Sequence, residues 1–308
     1  MKSAERLKSN NPITRNFHRE WPFHLMLLPC VILMVTFHYV PLYGVVIAFQ
    51  RYNVARGFFS PWVGLENFRY VFSQAQFTRT IQNTLFMSTF KIIGGIIVPV
   101  TFALLLNELR GNRSRRIFQT LVYLPYFLSW PIMAGIFIDI LSVSGIVNVA
   151  LGNIGIGPIP FLTEAKIFPW TMIITDIWKG FGFGTVVYLA ALTSIDPGLY
   201  ESALVDGAGR WKQTIYITLP LISPIIMLMT ILALGNIFSA GFDQIFNLYS
   251  PIVYSTGDII DTYVYRLGFV QAQYSISTAV GLFKSAISSI LIGASQLLAV
   301  KVAGYRVF

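Results

Sequence analysis

Apolar residues fall in six long runs, at 24–49, 83–107, 117–142, 168–192, 216–240 and 279–300, separated by polar and often basic loops. A membrane-crossing helix needs roughly 20 mostly apolar residues, and each run is long enough. The pattern predicts an all-α membrane protein with six transmembrane helices. The first run is too long for a cleavable signal segment, and no small-x-small site closes it. Between runs, 61–82 sets Trp62, Phe68, Tyr70, Phe72 and Phe77 among polar residues and is expected to lie along an interface. The Gly-, Asn- and Pro-rich stretch 143–162 is expected to form a short helix and a turn. Pro99, Pro125 and Pro131 lie inside runs and predict kinks, which serve equally as simple bends or as hinges. The chain divides into a basic tail, 1–23, and one six-span domain, 24–308.

Composition agrees with this reading. Only 11% of the 308 residues are charged, against about 25% in an ordinary soluble domain. Mean hydropathy is +0.65. A soluble enzyme, a disordered chain and a nucleic-acid module are excluded. Of the 22 Lys and Arg, 13 lie in the two termini and the second and fourth loops, 6 in the opposite loops, and Lys91, Lys179 and Lys284 in or beside spans. The positive-inside bias then places both termini in the cytoplasm. The net charge of +9 therefore serves orientation and anionic headgroups, and no nucleic-acid partner is expected. The lone Cys30, in an apolar run, is read as a small hydrophobe, and no metal site is expected.

The most informative segment is the loop 194–215 and its continuation, SIDPGLYESALVDGAGRWKQTIYITLPLISP (194–224). Asp196 before Pro197 is a helix start, a capping side chain followed by a ring already set to helical φ. A short helix over 197–205 follows. Gly207 marks its end, because glycine accepts positive φ. A second helix begins near 209–211 and enters the fifth span. A short loop helix with little apolar surface of its own suggests a docking element.

The run Glu201-Ser202-Ala203-x-x-Asp206-Gly207-Ala208, followed by Ile217-x-Leu219-Pro220, resembles the EAA loop of permease subunits in binding-protein-dependent ABC importers. Ser202 stands where alanine is usual. The resemblance implies a type I importer permease fold with a cytoplasmic coupling helix that docks on an ATP-hydrolysing subunit. VPLYGVVIAFQRYN (40–53), PWVGLENF (61–68) and SISTAVGLFKSAISSI (275–290) resemble carbohydrate-uptake permeases of the maltose-permease superfamily, and 241–268 resembles the subgroup for polysaccharide fragments and complex oligosaccharides. The resemblance further implies a second related permease, an ABC ATPase dimer, an extracytoplasmic solute-binding protein and an oligosaccharide substrate. Glu201, Ser202, Ala203, Asp206, Gly207 and Ala208 would form the ATPase-coupling surface.

No catalytic residue and no cofactor are expected on this chain. It has no G-x-x-x-x-G-K-[ST] loop, so ATP and Mg belong to the partner ATPase. The glycines of GFGFGT (180–185) are read as permitting close helix approach. Polar residues inside spans face a cavity or one another; Lys91, Asp139, Asp176, Lys179, Asn236 and Lys284 are such positions. Asp176 and Lys179, three apart on one helical face, are expected to pair. Asp176, Trp178, Lys179 and Phe181 are candidates for the substrate path, their rings offering stacking faces for sugars, with aromatic core packing as the alternative. In the loop before the sixth span, Asp243, Gln244, Tyr265 and Arg266 extend that candidate path, with a contact surface for the solute-binding protein or a solvated outer face as the alternatives. Arg266 and Lys179 could pair with a uronate carboxylate. Two rival classes stand beside this reading: a proton-coupled secondary transporter using Asp139 and Asp176, and an ABC permease for a non-sugar solute. An intramembrane hydrolase finds no support, because His38 is the one histidine within a span and no H-E-x-x-H or G-x-S-x-G occurs.

Overall fold

The computed structural model describes residues 12–109 and 111–298. Lys2, Arg6, Lys8, Arg110, Lys301, Arg306 and the end of the sixth run lie outside them. Fourteen α-helices follow in chain order: α1 (Pro12–Met34), α2 (Glu66–Ser73), α3 (Ala75–Glu108), α4 (Asn112–Tyr123), α5 (Trp130–Leu141), α6 (Ile146–Gly152), α7 (Phe168–Thr193), α8 (Pro197–Val205), α9 (Arg210–Gln213), α10 (Leu219–Leu234), α11 (Phe242–Leu248), α12 (Tyr254–Gly257), α13 (Ile260–Tyr265) and α14 (Tyr274–Leu298). Among the described residues the only β structure is two isolated bridges, Gln50–Trp62 and Asn53–Gly57.

Among the described residues, five stretches are long and apolar enough to cross a membrane: Trp21–Phe49, Ala75–Glu108, Trp130–Gly152, Arg210–Leu234 and Tyr274–Leu297. The predicted run 168–192 is α7, which falls outside that group. Its Thr171, Thr175, Lys179 and Thr185 are buried inside the bundle, where other helices rather than lipid receive them. Helix α1 starts at Pro12, so the latter half of the predicted tail is helical.

The third predicted span is corrected. Instead of one helix over 117–142, the chain forms the amphipathic α4, a 3-10 turn at Leu124–Phe127, and α5. Pro125 and Pro131 cannot donate to a helical ladder, and Leu128 and Ser129 take extended backbone between them. The fifth predicted span ends early. Helix α10 stops at Leu234, and 235–241 is non-helical until α11 starts beyond Gly241. The amphipathic stretch 61–82 divides into α2 and the start of α3, and 143–162 gives α6 and a turn, as expected.

Helix α3 packs along α7 at the centre of the bundle. One core cluster joins Val100, Ala103 and Leu106 of α3 to Tyr188, Leu189 and Leu192 of α7 and Ile222 of α10. A second gathers α5, α7 and α11 around Met87, Phe137, Met172 and Ile245. A third joins Phe77 to Ile260, Tyr263, Leu267 and Val280. Lipid is as apolar as these side chains, so burial alone does not hold such helices together; close approach and polar links must contribute. Gly182 supplies the closest approach to another segment's backbone: a Cβ there would collide with the Val122 carbonyl of α4. Gly184 abuts Pro99, whereas Gly180 faces open space. Gly182→Ala is therefore expected to cost about 1–3 kcal/mol through overpacking, and Gly180→Ala much less. Thermal unfolding of the two detergent-solubilised variants tests the difference.

Candidate functional site: a polar cavity and a docking loop

Two features separate themselves from the packing. One lies midway along α3, the other at the end of the bundle where α3 finishes.

Lys91 sits 16 residues from the start of α3 and 17 from its end, about 25 Å from either at helical rise. It borders a cavity of about 350 Å³ lined by Ser88, Ile92, Gly95 and Ile96 of α3, Asp176 and Tyr188 of α7, Met229 and Ala233 of α10, and the non-helical Asn236, Ser239, Ala240 and Gly241. Non-helical backbone at this depth is tolerated where it lines a cavity or is buried in protein. A smaller space of about 170 Å³ continues along Gly95, Pro99, Gly180, Phe181 and Gly184 and shares Lys91 and Asp176. Pro99 has no N–H, so the Gly95 carbonyl loses its helical donor at the wall of both spaces.

The Lys91 ammonium is held from several sides. It donates to the Ala240 carbonyl at 2.8 Å and to Gln244 Oε1. Gln244 is fully buried and donates to the Met172 carbonyl and to Thr175 Oγ1, each at 2.8 Å. Asp176 Oδ1 lies 3.6 Å from Lys91 Nζ. The expected Asp176–Lys179 pair is thus not formed. Lys91, on another helix, takes Asp176 because the packing of α3 on α7 brings the two within ion-pair reach, while the Lys179 ammonium is held by other partners. Lys179 points the other way, donates to the Tyr126 carbonyl at 3.2 Å, and lies over the rings of Tyr126 and Trp130.

The remaining candidate path residues separate. Phe181 borders the smaller space and meets Phe102 edge-on. Trp178 is half exposed and packs on Phe137, away from the cavity. Asp243 is exposed. Tyr265 belongs to a ring cluster with Phe242, Phe246 and Phe269. Arg266 is paired internally rather than free for a substrate: its Nη2 meets Asp258 Oδ2 at 2.5 Å, and its guanidinium lies over Tyr254 and Tyr263. Burial works against its charge, but the Asp258 hydrogen bond and charge outweigh burial and hold its pKa above the ordinary value. The structure therefore brings Asp176 and Phe181 to the cavity walls, sets Gln244 behind Lys91, and disperses the other five. Lys91, Ser88, Asn236 and Ser239 join them there. Lys91 and Asn236 were visible as polar residues inside apolar runs; Ser88 and Ser239 gave no signal.

The loop 194–215 takes the predicted form. Asp196 caps α8, its Oδ1 accepting from the Gly198 N–H at 2.9 Å. At the other end the Gly207 N–H donates to the Leu204 carbonyl at 3.0 Å and the Ala208 N–H to the Ala203 carbonyl at 2.9 Å. With Gly207 at φ +77°, this is a Schellman closure. It explains the residue types of the motif: glycine carries the left-handed backbone, and Ala203 and Ala208, both half-buried, are small enough to meet across it. Glu201, Ser202 and Asp206 are exposed. Leu204 and Val205 expose 69% and 88% of their surface, an apolar tip on a short helix. Arg210 Nη1 bonds Glu108 Oε2 at 2.6 Å and ties this loop to the last turn of α3. The pair is exposed, so Arg210→Ala is expected to lower stability by under about 1 kcal/mol, measurable as a small shift in thermal unfolding.

An all-helical membrane bundle with a polar cavity at mid-depth and an exposed helical knob in one loop defines a transport permease. The chain belongs to the family of binding-protein-dependent transport system inner membrane components, which its residues 91–303 match. It is 40% identical over 280 residues to the polygalacturonan/rhamnogalacturonan transport system permease protein YteP of Bacillus subtilis (strain 168), covering 90% of this chain and 87% of that one. Protein LplB of the same organism is 39% identical over 280 residues, covering 90% and 88%. The fold matches a chain of a crystallised bacterial ABC transporter involved in import of the acidic polysaccharide alginate, with TM-score 0.87, 39% identity, and coverage of 95% of this chain and 99% of that one. A second crystal structure, of a bacterial alginate ABC transporter in complex with an alginate pentasaccharide-bound periplasmic protein, matches with TM-score 0.86, 39% identity and the same coverage. The permease reading and the type I fold are borne out.

Proposed function

We propose that this chain and a second, related permease enclose a translocation path for oligosaccharides or polysaccharide fragments, delivered by a solute-binding protein and moved by alternating access. The mid-depth cavity beside the broken segment 235–241 carries this reading. Its polar side offers hydroxyl partners, and its Ile92, Ile96 and Met229 side suits apolar sugar CH faces. The likeness to YteP and to the alginate transporters supports a polysaccharide-derived, acidic cargo. Both termini and α8 face the cytoplasm, in keeping with the excess of Lys and Arg on that side. There the tip formed by Glu201, Leu204, Val205 and Asp206 docks on an ABC ATPase dimer. ATP and Mg are bound by that dimer, and this chain carries no catalytic group.

Reconstitution tests the reading. Proteoliposomes holding this chain, a second permease and the ATPase pair should accumulate oligogalacturonides only with ATP and loaded binding protein. Uptake by this chain alone, driven by a proton gradient, would instead establish a secondary transporter.

A further inference from the structure

The cavity contains a cation and an anion side by side, and their spacing sets what each can hold. An ammonium has three N–H donors. Two of those on Lys91 are committed, to the Ala240 carbonyl and to Gln244 Oε1. Gln244 cannot turn away, because its own amide nitrogen is held by Met172 and Thr175. The third faces Asp176 Oδ1 at 3.6 Å, beyond the length of a direct hydrogen bond. The Asp176 side chain keeps 35% of its surface open, whereas Lys91 keeps 8%. Ser88, one turn before Lys91 on α3, adds a buried hydroxyl without a partner on the same cavity wall. Gly241, at φ +91°, holds the backbone close: a Cβ there would stand 3.2 Å from Lys91 Nζ and 4.0 Å from Asp176 Oδ1.

We propose that Lys91 and Asp176 together read a saccharide hydroxyl, and that Asp176 bars carboxylates from the Lys91 ammonium. This rests on the saccharide path proposed above and names the specificity of its wall. A hydroxyl both accepts and donates, so it bridges the pair by accepting from Lys91 Nζ and donating to Asp176 Oδ1. A carboxylate only accepts. Placed on Lys91, it would meet the Asp176 carboxylate within a few ångströms, well inside a Debye length, so the two charges repel. The wall built by this chain is charge-balanced for that reason. The acidic edge of a uronate chain then passes against the second permease, while its hydroxyl edge passes here. Lys179 and Arg266, each held by protein partners elsewhere, contribute no free cation to this wall.

The test uses the full complex in proteoliposomes, with a binding protein shown by calorimetry to hold both the free-acid and the methyl-esterified form of one oligogalacturonide. Each variant's uptake is divided by that of the wild-type complex for the same substrate, so the preference of the binding protein cancels. Asp176→Asn keeps a hydrogen-bonding side chain and removes the charge. It should raise the acid-to-ester ratio roughly tenfold, and Asp176→Ser should move it the same way if the asparagine variant assembles poorly. Lys91→Gln should slow both forms. An unchanged ratio in both Asp176 variants, with both forms still transported, overturns the proposal and leaves the saccharide path standing. A wild-type complex that moves neither form overturns the path and this proposal with it.

Discussion

Gly207→Asp should reduce ATP-driven uptake by more than tenfold while the complex still inserts and assembles. The backbone at Gly207 has φ +77°; most residues with a Cβ pay about 1–2 kcal/mol to adopt it, and aspartate, which tolerates it better, pays somewhat less. The Schellman bonds from Gly207 to Leu204 and from Ala208 to Ala203 depend on that conformation. Relaxing it would turn the exposed tip at Leu204 and Val205 away from its presented direction. Aspartate also adds a charge beside Asp206, on the surface proposed to enter the ATPase groove. Gly207→Ala isolates the backbone effect and should show a smaller loss. Gly209, at φ −67°, makes no such demand, so Gly209→Ala is the matched control. ATP hydrolysis and uptake measured together decide the matter, and wild-type uptake in the aspartate variant would remove α8 from the coupling role.

Asp258→Ala should be the most damaging single change at the opposite end of the bundle. Asp258 is 1% exposed; its Oδ2 meets Arg266 at 2.5 Å and its Oδ1 accepts from Thr262 at 2.8 Å. Its backbone carbonyl also accepts from Asn83 Nδ2 of α3 at 3.1 Å. Deleting the carboxylate leaves Arg266 buried among Tyr254 and Tyr263 without a counter-charge, at about 3–5 kcal/mol. Thermal unfolding of the detergent-solubilised chain should fall by several degrees. The double variant Asp258→Ala, Arg266→Met should recover much of the loss, because the cost lies in the orphaned charge. An unchanged unfolding temperature in the single variant would show that Arg266 reaches water or another acceptor.

The loop around α8 was legible because every contact that shapes it is local. Asp196 caps its own helix, and Gly207 closes it within five residues. The cavity was not legible in the same way. Its central bonds join Lys91 to Gln244 and Asp176, residues far apart in sequence, and spacing along one helix suggested the wrong partner for Asp176. Arg266 looked free for a substrate because the acid that holds it, Asp258, was not recognised as its mate. The third span was misplaced because hydropathy ignores the missing N–H groups of Pro125 and Pro131. Runs without such interior breaks, α7 and α14, match the predicted spans to within several residues.

Continuous helix over Ala75–Glu108 makes α3 a lever arm about 50 Å long. Arg210 grips its far end through Glu108, and Lys91 rides near its midpoint. Pivoting about the Ala75 end, a displacement of the α8 loop would reach the cavity wall at about half its size, in the same direction. Pro99, between that contact and the wall, lacks the N–H that would brace the Gly95 carbonyl, so an arm that pivots would bend there first.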